Sequence, residues 1–131
     1  MPHALIEVRR RWSEDEEAAI IDAVHGALVE AFQIPAHDKH VRLVVHEPHR
    51  FACPPHLHEP EFATLVSIDC FTGRSLDAKR HLYAAIVDRL TELGIPGDHV
   101  SIVLRESPVE NWGVRGGRAA SDVDLGFDVT V

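Results

Sequence analysis

The chain has 131 residues, the length of a single domain, and its 45% hydrophobic and 26% charged residues exclude a disordered chain. It contains no apolar run long enough to span a membrane and no signal-peptide pattern at its start, which indicates a soluble cytoplasmic protein. The formal net charge of −8 argues against nucleic-acid binding, which depends on Lys and Arg, and leaves small molecules and proteins as partners.

The first part of the chain is predicted to form a strand, a helix and a second strand. Residues 4–10 are typical of a strand, and Ser13 with Glu16 forms the capping-box pattern that begins a helix. Apolar residues then recur at helical spacing until the helix ends before Pro35. Residues 41–45 predict the second strand.

The second part repeats this order after a loop. Residues 47–61 contain four prolines and predict the loop, and residues 62–71 are rich in strand-forming side chains. A turn at residues 72–75 leads into a second helix that continues to about Leu93. Residues 100–104 predict the fourth strand.

The two helix exits are similar in sequence, which indicates an internal repeat. Ile34-Pro35 is followed by an acidic residue and a His-Val pair at the start of a strand, and Ile95-Pro96 is followed by the same pattern. Two β-α-β units of about 60 residues each therefore predict one α/β domain over residues 1–131. It would have a four-stranded sheet with two helices on one face.

The end of the chain predicts contact between subunits. Residues 123–131 alternate apolar and polar side chains, as a half-buried strand does, but the sheet offers this strand no obvious partner. The sheet face without helices would carry Arg42, Val44, Ser101 and Val103, and it is too apolar to remain fully hydrated. We therefore expect a homo-oligomer with packed sheets and a C-terminal strand exchanged between subunits.

Pro2 is the first candidate for a catalytic residue. A small second residue permits removal of Met1, which would leave proline as the N-terminus with a secondary amine. Such an amine is a nucleophile and a base, and an apolar pocket lowers its basicity because it disfavours the charged form. A strand that starts at residue 3 or 4 would hold this amine rigidly.

Pro2 before a strand, two β-α-β repeats and Gly73-Arg74-Ser75 before the second helix together resemble the tautomerase superfamily. Within it, residues 23–38 resemble the malonate semialdehyde decarboxylases, and the resemblance extends from Pro2 to about Arg118. It implies a homotrimer that acts on a small carboxylate through the N-terminal proline, with no cofactor and no metal.

The resemblance implies catalytic roles for Asp38 and Arg74. In the decarboxylases the matching aspartate helps to activate water and orients the amine, whereas the alternative for Asp38 is a turn cap like its counterpart Asp98. Arg74 suits a carboxylate because a planar guanidinium can bind it through two hydrogen bonds. The decarboxylases carry two arginines around a proline here, but this chain has Thr72-Gly73-Arg74, so Arg105 or Arg115 is a candidate for the second cation.

Three further residues are candidates for substrate binding: Trp112, Arg115 and His3. The glycine-rich segment around Trp112 and Arg115 allows close backbone approach, and a Trp-containing segment lines the pocket in the family. His3 follows Pro2 directly and is placed to touch a substrate.

These observations predict a decarboxylase of a small 3-oxo acid such as malonate semialdehyde. The alternative is a keto–enol tautomerase of a small 2-oxo acid, which needs only a neutral Pro2 amine. A third hypothesis, from outside enzymology, is a metal-binding protein that uses the histidine-rich loop with His56, His58 and Glu61.

Overall fold

Two β-α-β units build the fold, as the internal repeat predicts. The computed structural model describes residues 1–131. Its elements are β1 (His3–Val8), α1 (Glu14–Phe32), β2 (Val41–Val45), β3 (Thr64–Phe71), α2 (Leu76–Glu92), β4 (Val100–Ser107), β5 (Gly113–Val114) and β6 (Arg118–Ala119). The capping box at the start of α1 is present, with Ser13 Oγ accepting from the Glu16 amide at 3.1 Å and Glu16 Oε1 accepting from the Ser13 amide at 3.0 Å.

The four long strands form one mixed sheet in the order β2-β1-β3-β4. Each repeat contributes a parallel pair, with Ala4 opposite Val41 in the first repeat and Thr64 opposite Val100 in the second. The two repeats join through the antiparallel pair β1 and β3, where His3 lies opposite Asp69. This arrangement places the start of β1 in the middle of the sheet, next to the end of β3.

The helices cover one face of the sheet and form the core with it. Alternate residues of β1 are fully buried against the helices, and the two Ile-Pro exits place Ile34 and Ile95 in the same core, 4% and 0% exposed. The opposite face carries Val44 and Val103, which are 41% and 43% exposed. The prediction of one helix-covered face and one open, partly apolar face is confirmed.

Several element bounds differ from the predicted ones. β1 ends at Val8 instead of residue 10, because the Arg9 side chain turns to donate to the carbonyl oxygens of Pro48 and Pro60 in the loop. β3 begins at Thr64 instead of residue 62, because Pro60 starts a short 3-10 turn. β4 continues to Ser107 instead of residue 104, because β3 offers pairing partners as far as Phe71.

The C-terminal tail (residues 123–131) forms no strand within the chain, and its predicted pairing with a neighbouring subunit stays a prediction. The carboxylates of Asp124 and Asp128 accept hydrogen bonds from the amides two residues later, and these turns bend the backbone away from a regular ladder. The predicted alternation is still visible in burial, since the odd-numbered residues of the tail face inward and the even-numbered ones are exposed. No helix of the structure has the length and apolar character needed to cross a membrane.

Candidate active site

A cavity of about 200 Å³ opens where the N-terminus meets the first helix exit. Met1 and the turn that follows α1 form one side of the cavity, and the C-terminal tail and the β5–β6 hairpin form the other. Its lining residues are Met1, Pro35, His37, Asp38, His40, Arg115, Leu125 and Phe127. A cavity of this size accommodates a small organic acid.

The N-terminal amine and Asp38 meet inside this cavity. The Met1 ammonium donates a hydrogen bond to Asp38 Oδ2, and the Asp38 side chain is only 11% exposed. Burial lowers the pKa of this ammonium, while the hydrogen bond to Asp38 and its negative charge act in the opposite direction. Pro2 is buried, and it follows Met1, whose amine contacts the Asp38 carboxylate.

Asp38 differs in its contacts from Asp98, its counterpart in the second repeat. Asp98 accepts a hydrogen bond from Nδ1 of the adjacent His99 at 2.7 Å, and that contact lowers the pKa of Asp98. Asp38 instead directs its carboxylate to the N-terminus and to His40 Nε2, which is 3.2 Å from Oδ1. The same position in the repeat therefore fixes a local turn in one unit and faces the cavity in the other.

Arg74 is buried at the start of α2, with 5% of its surface exposed. Its Nη1 donates to the Phe71 carbonyl oxygen at 3.2 Å, and the guanidinium lies 4.7 Å from the centre of the Phe32 ring. Nε and Nη2 have no hydrogen-bond partner, although buried polar atoms are nearly always paired. Burial lowers the pKa of Arg74, and its positive charge acts in turn on the N-terminal amine.

His3 and Trp112 lie together beside the N-terminus. The His3 ring packs edge-on against Trp112, with 5.2 Å between the ring centres. Trp112 also packs against the buried Phe71 at 5.0 Å and donates from Nε1 to Ser107 Oγ at 2.9 Å. Burial, followed by the positive charge of His40, lowers the pKa of His3. The two aromatic candidates thus pack against each other, although neither is among the residues that line the cavity.

The two candidates for a second cation are placed differently. Arg105 makes two hydrogen bonds, at 2.8 and 3.2 Å, to the carboxylate of Asp69 on the open face of the sheet. Arg115 lines the cavity at the tip of the β5–β6 hairpin, where its φ of 48° places the backbone in the left-handed region. Arg115 forms no ion pair within the chain, so its guanidinium is available to a ligand in the cavity.

Cys70 is the nearest alternative nucleophile to the N-terminal amine. The side chain is fully buried, and burial raises the pKa of its thiol to about 11. A thiol with this pKa remains protonated and unreactive at neutral pH. The amine is therefore the more reactive of the two groups.

Two groups of residues at the cavity were not among the candidates identified from the sequence. Leu125 and Phe127 reach the cavity from the tail, and the alternation of residues 123–131 placed both on the inward side. His40 contacts Asp38, and the signal for it was the acid-His pattern shared by the two repeats. That pattern produces an aspartate–histidine pair in each unit, Asp38 with His40 and Asp98 with His99.

The histidine-rich loop lies apart from this cavity, and His56 and His58 are both exposed. The structure contains no group of three or more His, Cys, Asp or Glu side chains placed to share a metal ion. Cys53 of the same loop accepts a hydrogen bond from Arg9 at 3.3 Å. The metal-binding hypothesis thus has no ligand set within a single chain.

Comparison with solved structures identifies proteins with the same fold. The crystal structure of FG41 malonate semialdehyde decarboxylase inhibited by 3-bromopropiolate is 32% identical, with a TM-score of 0.76 over 89% of this chain and 92% of that chain. A second malonate semialdehyde decarboxylase, solved in wild-type, mutant and inactivated forms, is 23% identical, with a TM-score of 0.82 over 93% and 99% of the two chains. A fused 4-OT, an asymmetric trimer, is 18% identical, with a TM-score of 0.81 over 95% and 99%.

Comparison of sequences leads to the same group. Among curated proteins none matches the chain significantly. The family described as tautomerase enzyme matches residues 38–115, a segment that begins at Asp38 and includes Arg74, Trp112 and Arg115. The match covers more than half of the chain, and the structural relatives belong to the same superfamily. This protein is therefore an enzyme of the tautomerase family.

Proposed function

We infer that the protein is a cofactor-independent decarboxylase of a small 3-oxo acid of the malonate semialdehyde type, with the Pro2 amine as its reacting group. One observation carries the proposal: the N-terminal nitrogen contacts the buried Asp38 carboxylate in a small cavity. The 32% identity to a malonate semialdehyde decarboxylase over most of both chains supports this choice of substrate class.

Removal of Met1 is the step that prepares the site. Met1 lines the cavity, so its loss enlarges the space for a substrate and leaves the Pro2 nitrogen as a secondary amine. The new amine lies one residue along the backbone from the Met1 nitrogen that contacts Asp38, and one residue corresponds to about 3.8 Å between Cα atoms. It meets the same buried surroundings, and burial lowers the pKa of an amine because it disfavours the charged form.

The neutral amine adds to the aldehyde carbon of the substrate to form a carbinolamine, whose hydroxyl takes up a proton from solvent and leaves as water to give an iminium. Arg74 binds the carboxylate through its unpaired Nε and Nη2, with the scissile C–C bond perpendicular to the iminium plane. The electron pair of that bond moves into the iminium as carbon dioxide leaves. The resulting enamine takes up a proton, and water held by Asp38 hydrolyses the iminium to release acetaldehyde and the amine.

Three more residues complete the proposed pocket. Arg115 supplies the second positive charge that Thr72 does not provide, because it lines the cavity without an ion-pair partner. In this proposal Trp112 and His3 pack together beside Pro2, where they exclude water from the reacting atoms.

We propose that the protein is a homotrimer in which the C-terminal tail pairs with a neighbouring subunit. The exposed Val44 and Val103 on the open sheet face support burial of that face between subunits. Relatives described as trimers, such as the fused 4-OT, support the number three. Sedimentation equilibrium at micromolar concentration is expected to give three times the mass of one chain, and a monomer would contradict the proposal.

A keto–enol tautomerase of a 2-oxo acid is the second candidate function. It is favoured by Thr72, which stands where the decarboxylases carry an additional arginine, because proton transfer between carbon and oxygen needs one anchored carboxylate and one base. Asp38 and a neutral Pro2 amine would both serve this reaction without change.

Product analysis separates the two candidates. Wild-type protein incubated with malonate semialdehyde is expected to release acetaldehyde and carbon dioxide, and Pro2→Ala to lose this activity while it remains folded and assembled. If acetaldehyde forms only at the uncatalysed rate and C3 of a 2-oxo acid exchanges rapidly with deuterium, the tautomerase would replace the decarboxylase as the proposed function. Full activity of Pro2→Ala would contradict the role of the amine in both.

A further inference from the structure

The Asp38 carboxylate is held from both sides. Its Oδ2 accepts from the N-terminal ammonium, and its Oδ1 lies 3.2 Å from His40 Nε2. With 11% of its side chain exposed, Asp38 has few waters with which to replace either contact. The orientation of Oδ2 toward the amine therefore depends on what occupies Oδ1.

The His40 ring is itself fixed by aromatic neighbours. It stacks on His3, with 4.4 Å between ring centres and 12° between planes, and His3 in turn packs edge-on against Trp112. A continuous row of side chains thus runs from Trp112 through His3 and His40 to Asp38 and the amine. Stacking on His3 limits how far the imidazole can rotate away from the carboxylate.

We propose that His40 is a positioning residue, which holds Asp38 Oδ1 so that Oδ2 faces the reacting amine. This inference rests on the proposed function of the Pro2 amine. His40 would act through Asp38 and not on the amine itself, because the amine contacts Asp38 and makes no contact with His40. The charged groups around the His40–His3 pair are Asp38 from the turn, Arg42 from β2 and the N-terminal amine.

Two properties of His40, its stacked ring and the nitrogen that lies 3.2 Å from Asp38, can be separated by substitution. His40→Phe keeps the stacking on His3 and loses the nitrogen, whereas His40→Gln keeps a polar N–H group and loses the ring. The His40 side chain is 44% exposed, so both variants are expected to fold. His81→Phe is the matched control, because His81 forms an imidazole–carboxylate contact of the same 3.2 Å with Glu30 on the helix side of the molecule.

The decisive readout is the pKa of the N-terminal amine, obtained from the pH dependence of its alkylation by 3-bromopropiolate and followed by mass spectrometry. The Asp38 carboxylate raises this pKa when it faces the amine. His40→Phe is therefore expected to lower it by about one pH unit, toward the value of Asp38→Asn. In the same variant kcat falls about tenfold to a hundredfold while KM stays within about twofold, because Arg74 still binds the carboxylate.

His40→Gln is expected to restore most of the amine pKa and of kcat, and His81→Phe to leave both unchanged. An amine pKa and a kcat equal to wild type in His40→Phe would overturn the positioning role. So would an equal loss in His40→Phe and His81→Phe, which would indicate a general effect on folding. If wild type takes up no label at Pro2, the proposed function and this inference both fail. If wild type is labelled and His40→Phe behaves like wild type, only this inference fails, so the two failures are distinguishable.

Discussion

Replacing Arg74 with methionine is expected to make the protein more stable and at the same time almost inactive. The guanidinium is 5% exposed and leaves Nε and Nη2 without partners. Each unpaired buried donor costs about 1–3 kcal/mol of folding free energy, so the two together cost about 2–6 kcal/mol. A methionine side chain of similar length fills the same space without this cost.

Two favourable contacts of Arg74 are lost in the same variant. The hydrogen bond to the Phe71 carbonyl oxygen contributes about 0.5–1.5 kcal/mol, and the contact with the Phe32 ring about 0.5–2 kcal/mol. The net expectation is that Arg74→Met raises the free energy of unfolding by about 1–3 kcal/mol. For a domain of this size that corresponds to an increase in Tm of about 3–10 °C.

The loss of activity follows from the same two nitrogen atoms. If each donates a charge-assisted hydrogen bond to the substrate carboxylate, their removal costs about 3–6 kcal/mol of transition-state binding. That corresponds to a decrease in kcat/KM of about 100- to 10,000-fold. Malonate, a small dicarboxylate, is expected to raise the Tm of wild type and to leave that of Arg74→Met unchanged.

Thermal unfolding followed by circular dichroism, with and without malonate, tests both halves of this prediction. Arg80→Met is the control, since Arg80 is an exposed arginine of α2 whose surface pair with Asp77 contributes little. An Arg74→Met variant that is less stable than wild type would refute the reasoning, because it would mean that Nε and Nη2 have partners in the assembled protein.

Other variants test the tail, the pH dependence of the reaction and the second repeat. Gly73→Ala is expected to lower kcat/KM at least tenfold, because a Cβ there would lie 2.9 Å from a carbonyl oxygen of the tail. Gly26→Ala is the control, since its Cβ meets only the flexible end of an arginine and activity should stay at the wild-type level. Equal rates in the two variants would refute this prediction. The kcat/KM of wild type should fall as the pH drops through the pKa of the Pro2 amine, which burial is expected to lower; a profile flat to pH 5 would exclude a neutral amine as the reacting form. The contact with His99 lowers the pKa of Asp98, so its stabilisation is present above about pH 4 and lost as the pH falls through the lowered pKa. Denaturant unfolding should therefore show that Asp98→Asn destabilises the protein more at pH 7 than at pH 2, and an equal loss at both would contradict the assignment.

Much of the fold could be predicted because its signals are local. Ser13 and Glu16 marked the start of α1, and the two Ile-Pro exits marked the repeat that sets the order of the sheet. The ends of β1 and β4 could not be predicted as well. Arg9 leaves the strand for carbonyl oxygens of the loop, and β4 is lengthened by its pairing with β3. Both effects depend on segments that are distant in the sequence.

The candidate site shows the same division. The sequence indicated Asp38 and Arg74 through motifs, but not that Asp38 would face the cavity while Asp98 would hold His99. Nor did it indicate that the tail would close over the start of α2, where Ser75 Oγ donates to the Val131 carbonyl oxygen at 2.9 Å. These contacts arise only when the two ends of the chain meet in the folded protein.

Intact-protein mass spectrometry after incubation with 3-bromopropiolate, followed by peptide mapping, tests the role of Pro2 most directly. The account predicts a chain that lacks Met1 and carries one adduct, on the Pro2 nitrogen, with labelling slowed by malonate. A chain that retains Met1, or an adduct on another side chain such as Cys53, would contradict it.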